Sequence, residues 1–507
     1  MWWLRREACV FSVAVMCADA DESDISSVFR PADFMEQVVL PDMATGTPPV
    51  LRGRALHCVS SFTQWLSPDT AVQCFKAAIA SISEDSPLPV RMTAARAIAS
   101  LSSSSHTGTP LLSEDFLRPH VPMLLQSIAK LLENATEDSA LITLEALHQV
   151  LKVGSKQAVV HMPLVLEQVL LALGRCHGDV MIANEAVETV ETAAKIPECT
   201  AMAAEASAPL ILSVLQQPDK FVCTMVESVL DLLAKIVRSP ESGPYKGPLL
   251  DTVLPALVFA MINVSSDDLL QPGCDCLRSY LRVCREEMIA MGALFGGHTV
   301  LECYRLIILR MLQPDASEGC GVSVAPLAMQ FILRCREEAR HAIGEILAAA
   351  ITRMDGANSL RLRQALCVLF ARLLNEDLPA TLGFLEQHDV GGERAVSIVM
   401  GHWCKDHRDF CGSYDVKVLT AALGNLLICG NPGILNLPVP GTYVVDVNEG
   451  RVTRSMSRAA GKAKTDQWTQ VPLAAKAFEL IVQTVAREDK EEDEEGSWDS
   501  GERDDDG

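Results

Sequence analysis

The residues best placed to do chemistry are His402, Cys404, His407 and Cys411, four metal-ligand types within a short stretch. Tetrahedral zinc sites draw on such nitrogen and sulfur donors. On a helix, Cys404, His407 and Cys411 share a face while His402 points elsewhere, and the spacing matches no usual zinc module. The cluster reads as an accident of a helix end, and no structural metal is expected. Gly296-Gly297-His298 follows a helical stretch and lacks the strand and lysine of a phosphate loop. Neither a Gly-x-Ser-x-Gly elbow nor a His-Glu-x-x-His helix occurs. His57, His148 and His341 stand alone and read as structural. Nothing in these patterns supports an enzyme or a cofactor.

The elements that carry these residues are helices. At Pro122, Pro163, Pro209 and Pro255 one apolar stripe is written four times. Two and three residues on come Leu124 and Leu125, Val165 and Leu166, Ile211 and Leu212, Leu257 and Val258; six on come Ile128, Val169, Leu215 and Met261. Offsets of i, i+1 and i+4 put these side chains on one buried helix face. The prolines recur at intervals of 41, 46 and 46 residues, the length of a HEAT-repeat helix pair. Partner helices begin near Asp138, Asp179, Asp219 and Asp267, each a candidate N-cap. Leu51–Leu66 with Pro68–Ile82, Val300–Leu312 with Val324–Cys335, and Leu360–Leu374 continue the helical pattern. The fold class is therefore all-α, an α-α superhelix of the HEAT or armadillo type. The β-branched run Tyr443–Val447 is the only strand-like piece.

A solenoid accommodates 507 residues without separate globular cores, because each repeat packs only on its neighbours. Aromatic content of 5% against 49% apolar residues suits helix pairs packed through Leu, Ala and Val. Seventeen cysteines are an odd number in a long chain, and Cys223, Cys276, Cys335 and Cys367 fall in apolar helical runs, so a reducing compartment is expected. The first twenty residues superficially satisfy a secretory signal, but two tryptophans precede Arg5 and Arg6, and that reading is set aside. No run reads as a membrane span.

Charge is concentrated at one end. Residues 488–507 hold twelve acidic and two basic side chains, −10 of the net −22. Such a run is disordered on composition, repels nucleic acid and attracts basic proteins, although a solubilising tail has the same composition. Before it, residues 431–467 read as a basic loop containing proline and glycine, with Arg451, Arg454, Arg458, Lys462 and Lys464 among serines and alanines. That basic stretch could bind an acidic partner, mimic a localisation signal or fold against the chain's own acidic groove. The expected organisation is a solenoid over 1–430, the loop over 431–467, a further HEAT helix over 468–487 and the disordered acidic segment over 488–507.

Together the residues resemble the karyopherin-β nuclear transport receptors along nearly the whole chain. Trp2-Trp3 with Glu7-Ala8-Cys9, Gly53-Arg54-Ala55-Leu56, Ser67-Pro68, and Val90-Arg91 with Ala94, Arg96, Ala97 and Ile98 follow in matching order. Cys276-Leu277-Arg278 with Tyr280, then Leu312 with Pro314, Ser317 and Glu318, come next. The densest matches are Gly412, Tyr414, Lys417 and Val418, Glu449-Gly450 with Thr453-Arg454-Ser455 and Ser457, then Trp468-Thr469, Pro472-Leu473, Lys476 and Leu480-Ile481. No single piece is diagnostic; their order and spacing are.

The resemblance implies a soluble receptor, shuttling between cytoplasm and nucleus, that carries basic cargo such as core histone dimers and ribosomal proteins. It further implies contact with nucleoporins and release by Ran-GTP, with neither direct nucleic-acid nor membrane binding. Cargo contacts are expected at Arg451, Arg454, Ser455 and Ser457, and at Glu488, Asp489, Glu491, Glu492, Asp493, Glu494 and Glu495. The family's amino-terminal Ran-binding third has no counterpart in the matches, so the chain is expected to be partial and its Ran-GTP binding weak or absent. A generic HEAT scaffold or assembly-factor subunit is the alternative.

Overall fold

The computed structural model describes residues 2–18, 30–106, 108–239, 247–264, 266–294, 296–443 and 468–500. Contacts divide the chain into two compact units, Met1–Val264 with Arg282–Met288, and Ser265–Leu281 with Ile289–Gly507.

The first unit contains α1 (Trp2–Ala18), α2 (Pro49–Ser61), α3 (Pro68–Ser81), α4 (Leu88–Ser103), α5 (Val121–Glu133), α6 (Glu137–Val153), α7 (Met162–Arg175), α8 (Val180–Ala194), α9 (Thr200–Gln216), α10 (Cys223–Arg238) and α11 (Leu254–Asn263). Two layers result: α5, α7, α9 and α11 pack in sequence, while α2, α4, α6, α8 and α10 pack in sequence beside them. Each pair, such as α5 with α6, closes across the layers. The proline-linked stripes fill the space between. Leu124, Leu125, Ile128, Val165, Leu166, Val169, Ile211, Leu215, Leu257, Val258 and Met261 are all buried, and Leu212 alone is half-buried. Each buried Leu, Val or Ile contributes about 1.5–3 kcal/mol relative to exposure, so the stripe is what fastens repeat to repeat.

Pro122, Pro163 and Pro255 sit in first helical turns, where the missing N–H has no partner to lose. Pro209 lies inside α9. The turns ahead of these prolines are distorted: 3₁₀ turns precede Pro122 and Pro163, and a π turn, Leu249–Val253, precedes Pro255. A proline ring crowds the carbonyl four residues back, and altered pitch relieves that contact. Of the four expected acidic caps only Asp179 caps a helix, accepting from the amides of Met181 and Ile182. Thr136, not Asp138, precedes α6, and its amide donates to the Ser139 hydroxyl at 2.9 Å.

α1 packs on α2. Val10, Ala14 and Cys17 are buried, and Arg6–Asp42 and Glu7–Arg54 pair at 2.6 Å. Among the described residues one stretch, Lys156–Arg175, is long and apolar enough by composition to cross a membrane, with mean hydropathy 1.4, contrary to the sequence reading. Half of that stretch is buried in the fold, because its apolar side chains are the stripe of α7.

The second unit contains α12 (Asp267–Val283), α13 (Val300–Met311), α14 (Glu318–Arg334), α15 (Arg340–Asp355), α16 (Leu360–Glu376), α17 (Leu378–Gln387), α18 (Ala395–Asp406), α19 (Ser413–Ile428) and α20 (Leu473–Ser500). Here α14, α16, α19 and α20 form one packed row, and α13, α15 and α18 another. Short antiparallel pairs are inserted: β1 (Ser105–His106) with β2 (Thr109–Pro110) in the first unit, and β3 (Asp389–Val390) with β4 (Glu393–Arg394) and β5 (Pro438–Tyr443) with β6 (Trp468–Pro472) in the second. β5 ends at Tyr443, the first residue of the expected Tyr443–Val447 run, whose remaining residues lie outside the described ones. Its prolines are tolerated because a two-stranded ribbon has free edges.

Candidate functional site

The described elements that flank the expected cargo-binding residues, β5, β6 and the first turns of α20, meet in one base within the second unit. β5 and β6 pair through Val439↔Val471 and Tyr443↔Trp468, and α18 packs on β5. The Thr442 amide donates to Thr469 Oγ1 at 2.8 Å, and the Leu473 amide to the Leu437 carbonyl at 2.8 Å. Gly441 is required for this approach: a Cβ there would stand 2.6 Å from Thr469 Oγ1 and 2.9 Å from Val471 Cγ1. The Tyr443 and Trp468 rings meet edge to face, and Lys405 Nζ stands 5.7 Å from the Trp468 ring centroid.

Lys476 closes the base from α20. Its side chain is 3% exposed, and Nζ donates to the Gly441 carbonyl and to Glu479 Oε2, both at 3.1 Å. Glu479 also accepts from Arg408 and Gln483. Burial works against its charge, but the Lys476 hydrogen bond and charge outweigh it and hold this carboxyl below the usual range.

Arg451, Arg454, Ser455 and Ser457 lie outside the described residues, as do 444–450, 458–467 and 501–507. Glu488, Asp489, Glu491, Glu492, Asp493, Glu494 and Glu495 lie on the backbone of α20, which continues from its buried turns to Ser500. Composition pointed to disorder from 488 onward. Once Leu473, Ala477 and Leu480 anchor the first turns, extension needs no new nucleus, and Glu and Lys are good helix formers.

The His402, Cys404, His407 and Cys411 set does not converge. His402 faces Asp355, with Nε2 4.0 Å from Oδ1, and burial lowers its pKa. Cys404 is buried, which pushes its thiol up to about 12. His407 accepts from Trp403 Nε1 at 3.2 Å on Nδ1, and burial with the nearby Lys476 charge takes its pKa down to about 4. Cys411 is exposed. The cysteines are free thiols; Cys276, Cys335 and Cys367 are buried as expected, whereas Cys223 is exposed at the start of α10. Gly296 and Gly297 both take positive φ in the approach to α13, and His298 stands 3.8 Å from Glu302.

A ligand cluster that the sequence reading passed over stands in the first unit. His148 on α6 meets Glu185 and Glu188 on α8, with one ligating atom from each within 4.8 Å of the others. The signal was in the repeat length: Glu145 and His148 recur forty residues later as Glu185 and Glu188. In the same unit, Leu166, Leu170, Leu171, Met202, Pro209 and Leu210 line an apolar groove between α7 and α9, together with Glu167 and Glu205.

Within each unit, two rows of helices packed in sequence define HEAT-repeat pairs, and solved structures of nuclear transport karyopherins share this fold. The exportin Cse1 in its cargo-free, cytoplasmic state superposes with TM-score 0.59 at 14% identity, over 84% of this chain and 44% of that one. Lph2, a bidirectional nuclear transport receptor in S. cerevisiae, gives 0.56 at 14% identity, over 86% and 46%. In sequence the chain is similar to Importin-9 of Drosophila melanogaster, 22% identical over 489 residues, 95% of this chain and 47% of the relative. Importin subunit beta-5 of Saccharomyces cerevisiae is 25% identical over 185 residues, 36% and 18% respectively. The chain thus spans about half the length of Importin-9. No protein-family model matches it.

Proposed function

We propose that the chain is the cargo-binding portion of a nuclear import receptor, not an enzyme, and that it takes basic protein cargo of the core-histone and ribosomal-protein kind. The observation that carries this reading is similarity to Importin-9 across 95% of the chain. The fold supports it by supplying α20, a helix rooted in the last repeat whose outer half bears the acidic run. A basic body whose charges otherwise meet DNA phosphates is held by such a run through charge, without fixed geometry. Arg451, Arg454, Ser455 and Ser457, on the segment between β5 and β6, are assigned to the same cargo contact. Nucleoporins are proposed for the apolar groove between α7 and α9, Ran-GTP is the proposed releasing factor, and shuttling between cytoplasm and nucleus follows.

The test is binding of a core histone dimer to the full chain and to a variant lacking residues 488–507, followed by fluorescence anisotropy across salt. Deletion should weaken binding about tenfold or more at low salt and little at high salt, since exposed charges are screened within about 8 Å at physiological ionic strength. Equal affinity at low salt would reduce the segment to a solubilising tail. No histone binding by the full chain would remove the cargo assignment altogether.

A further inference from the structure

We propose that His148, Glu185 and Glu188 form a divalent-metal site between two successive repeats, suited to zinc. The residues lie on α6 and α8, adjacent helices of one packed row, and each helix presents its pair at i and i+3: Glu145 with His148, Glu185 with Glu188. That spacing puts both members of a pair on one helix face. Facing helices that present Glu-x-x-His and carboxylate pairs are a recurrent way to build metal sites in helical proteins.

The geometry around His148 is that of a metal ligand with its supporting shell. The ring is 4% exposed, Nε2 stands 2.9 Å from Thr192 Oγ1, and Nδ1 stands 2.6 Å from Glu185 Oε1. With a proton on Nε2 donated to the Thr192 hydroxyl, Nδ1 turns its lone pair toward Glu185. Ligating histidines are held in this way, one nitrogen on the metal and the other on a fixed hydrogen-bond partner. A buried imidazole lone pair and a carboxylate oxygen at that distance repel unless a cation lies between them.

A proton on Nδ1 is the simplest such cation, but the charge count favours more. Glu185 and Glu188 are both brought to the one imidazole, and the Glu185 charge is felt at Glu145 as well. Arg96 acts on Glu145, and Lys195 and Lys235 both pair with Glu191, so none of these three cations is given to Glu185 or Glu188. A dication neutralises the cluster where a single proton does not. Tetrahedral zinc with bonds of about 2.0–2.2 Å to N and O holds its ligand atoms roughly 3.3–3.6 Å apart. The three atoms, within 4.8 Å of one another, therefore reach this spacing by small rotations of the two glutamates. Water completes the fourth position. The site would pin α6 to α8 and so set the spacing of two repeats.

The experiment uses the full chain with its exposed thiols removed, Cys9→Ser, Cys223→Ser and Cys411→Ser, after chelator treatment. Zinc chloride is titrated calorimetrically, and cobalt(II) serves as the spectroscopic probe. The expected result is one site per chain, tetrahedral cobalt absorption without a sulfur-to-metal band, and a rise in Tm with zinc. Glu188→Gln and Glu185→Gln, each checked for unchanged circular dichroism, should lose at least about tenfold in affinity together with the Tm response. Three outcomes overturn the proposal: no binding at micromolar zinc, equal affinity in both variants, or cobalt bound through sulfur. The His148–Glu185 contact is then an ion pair alone.

Discussion

Acidification should loosen the end of the second unit through a single buried imidazole. His407 is 4% exposed, accepts from Trp403 on Nδ1 and stands near the Lys476 charge, so its folded pKa falls from the ordinary 6.5 to about 4. A depressed histidine pKa means the unfolded state takes up a proton that the folded state refuses. The contribution is therefore complete above pH 6.5 and is lost as pH falls from 6.5 to about 4. At about 1.36 kcal/mol per pH unit the loss is about 2 kcal/mol at pH 5 and about 3 kcal/mol below pH 4. The local assay is hydrogen exchange of α18 and α20 amides between pH 5 and 7, corrected for intrinsic rates, in the parent and in His407→Phe. Phe leaves Trp403 Nε1 without its acceptor, a pH-independent cost of about 1–3 kcal/mol. The slope is thus the diagnostic quantity: steep in the parent and flatter by about 2 kcal/mol across this range in the variant. His402, whose pKa burial also lowers, is common to both proteins and cancels. Identical slopes would show that His407 takes up its proton without strain and would refute the reasoning.

At the hairpin base, Lys476→Met should remove the donor to the Gly441 carbonyl and to Glu479, lowering local protection of β5 and β6 by about 2–3 kcal/mol; undisturbed exchange at Thr442 and Val471 would contradict this. Gly441→Val should cost about 1–3 kcal/mol or more, because its side chain would overlap Thr469 and Val471, and unchanged thermal unfolding would show that the strands yield freely. Alkylation of the native protein at neutral pH should mark the exposed Cys9, Cys223 and Cys411 first. Burial raises the thiols of Cys58, Cys74 and Cys404 to about 12 and should protect them, so their early labelling in peptide mass spectra would argue against the packing described.

The repeats were legible because burial acts on spacing. A stripe at i, i+1 and i+4 has one way to hide, and the structure buries it at each of the four prolines save for the half-exposed Leu212. Caps were less legible, since an acidic residue near a helix start is common and only Asp179 had the extended backbone that lets its side chain reach the amides. Pro209 fits the period yet lies in the interior of α9, a distinction made by the helical residues ahead of it rather than by the proline. The β5–β6 pair was hidden because prolines mask one strand and the other is a separate five-residue run. The His148 cluster was missed for a different reason. Scanning for ligands close in sequence found His402 to Cys411, whereas a solenoid brings together residues one repeat apart.

The antiparallel base at Tyr443 and Trp468 also bears on how the segment between them can change. The paired Cα positions put Tyr443 and Trp468 about 5 Å apart, so the chain between them returns to where it left, whatever its path. Lengthening such an excursion costs only about 0.6 kcal/mol per doubling, and the repeats on either side keep their register. This is therefore a position where natural variants can differ greatly in length. A fluorescent reporter grafted there should leave the helical stack intact, as should a single proteolytic nick, because Lys476 and the β5–β6 pairing hold both ends.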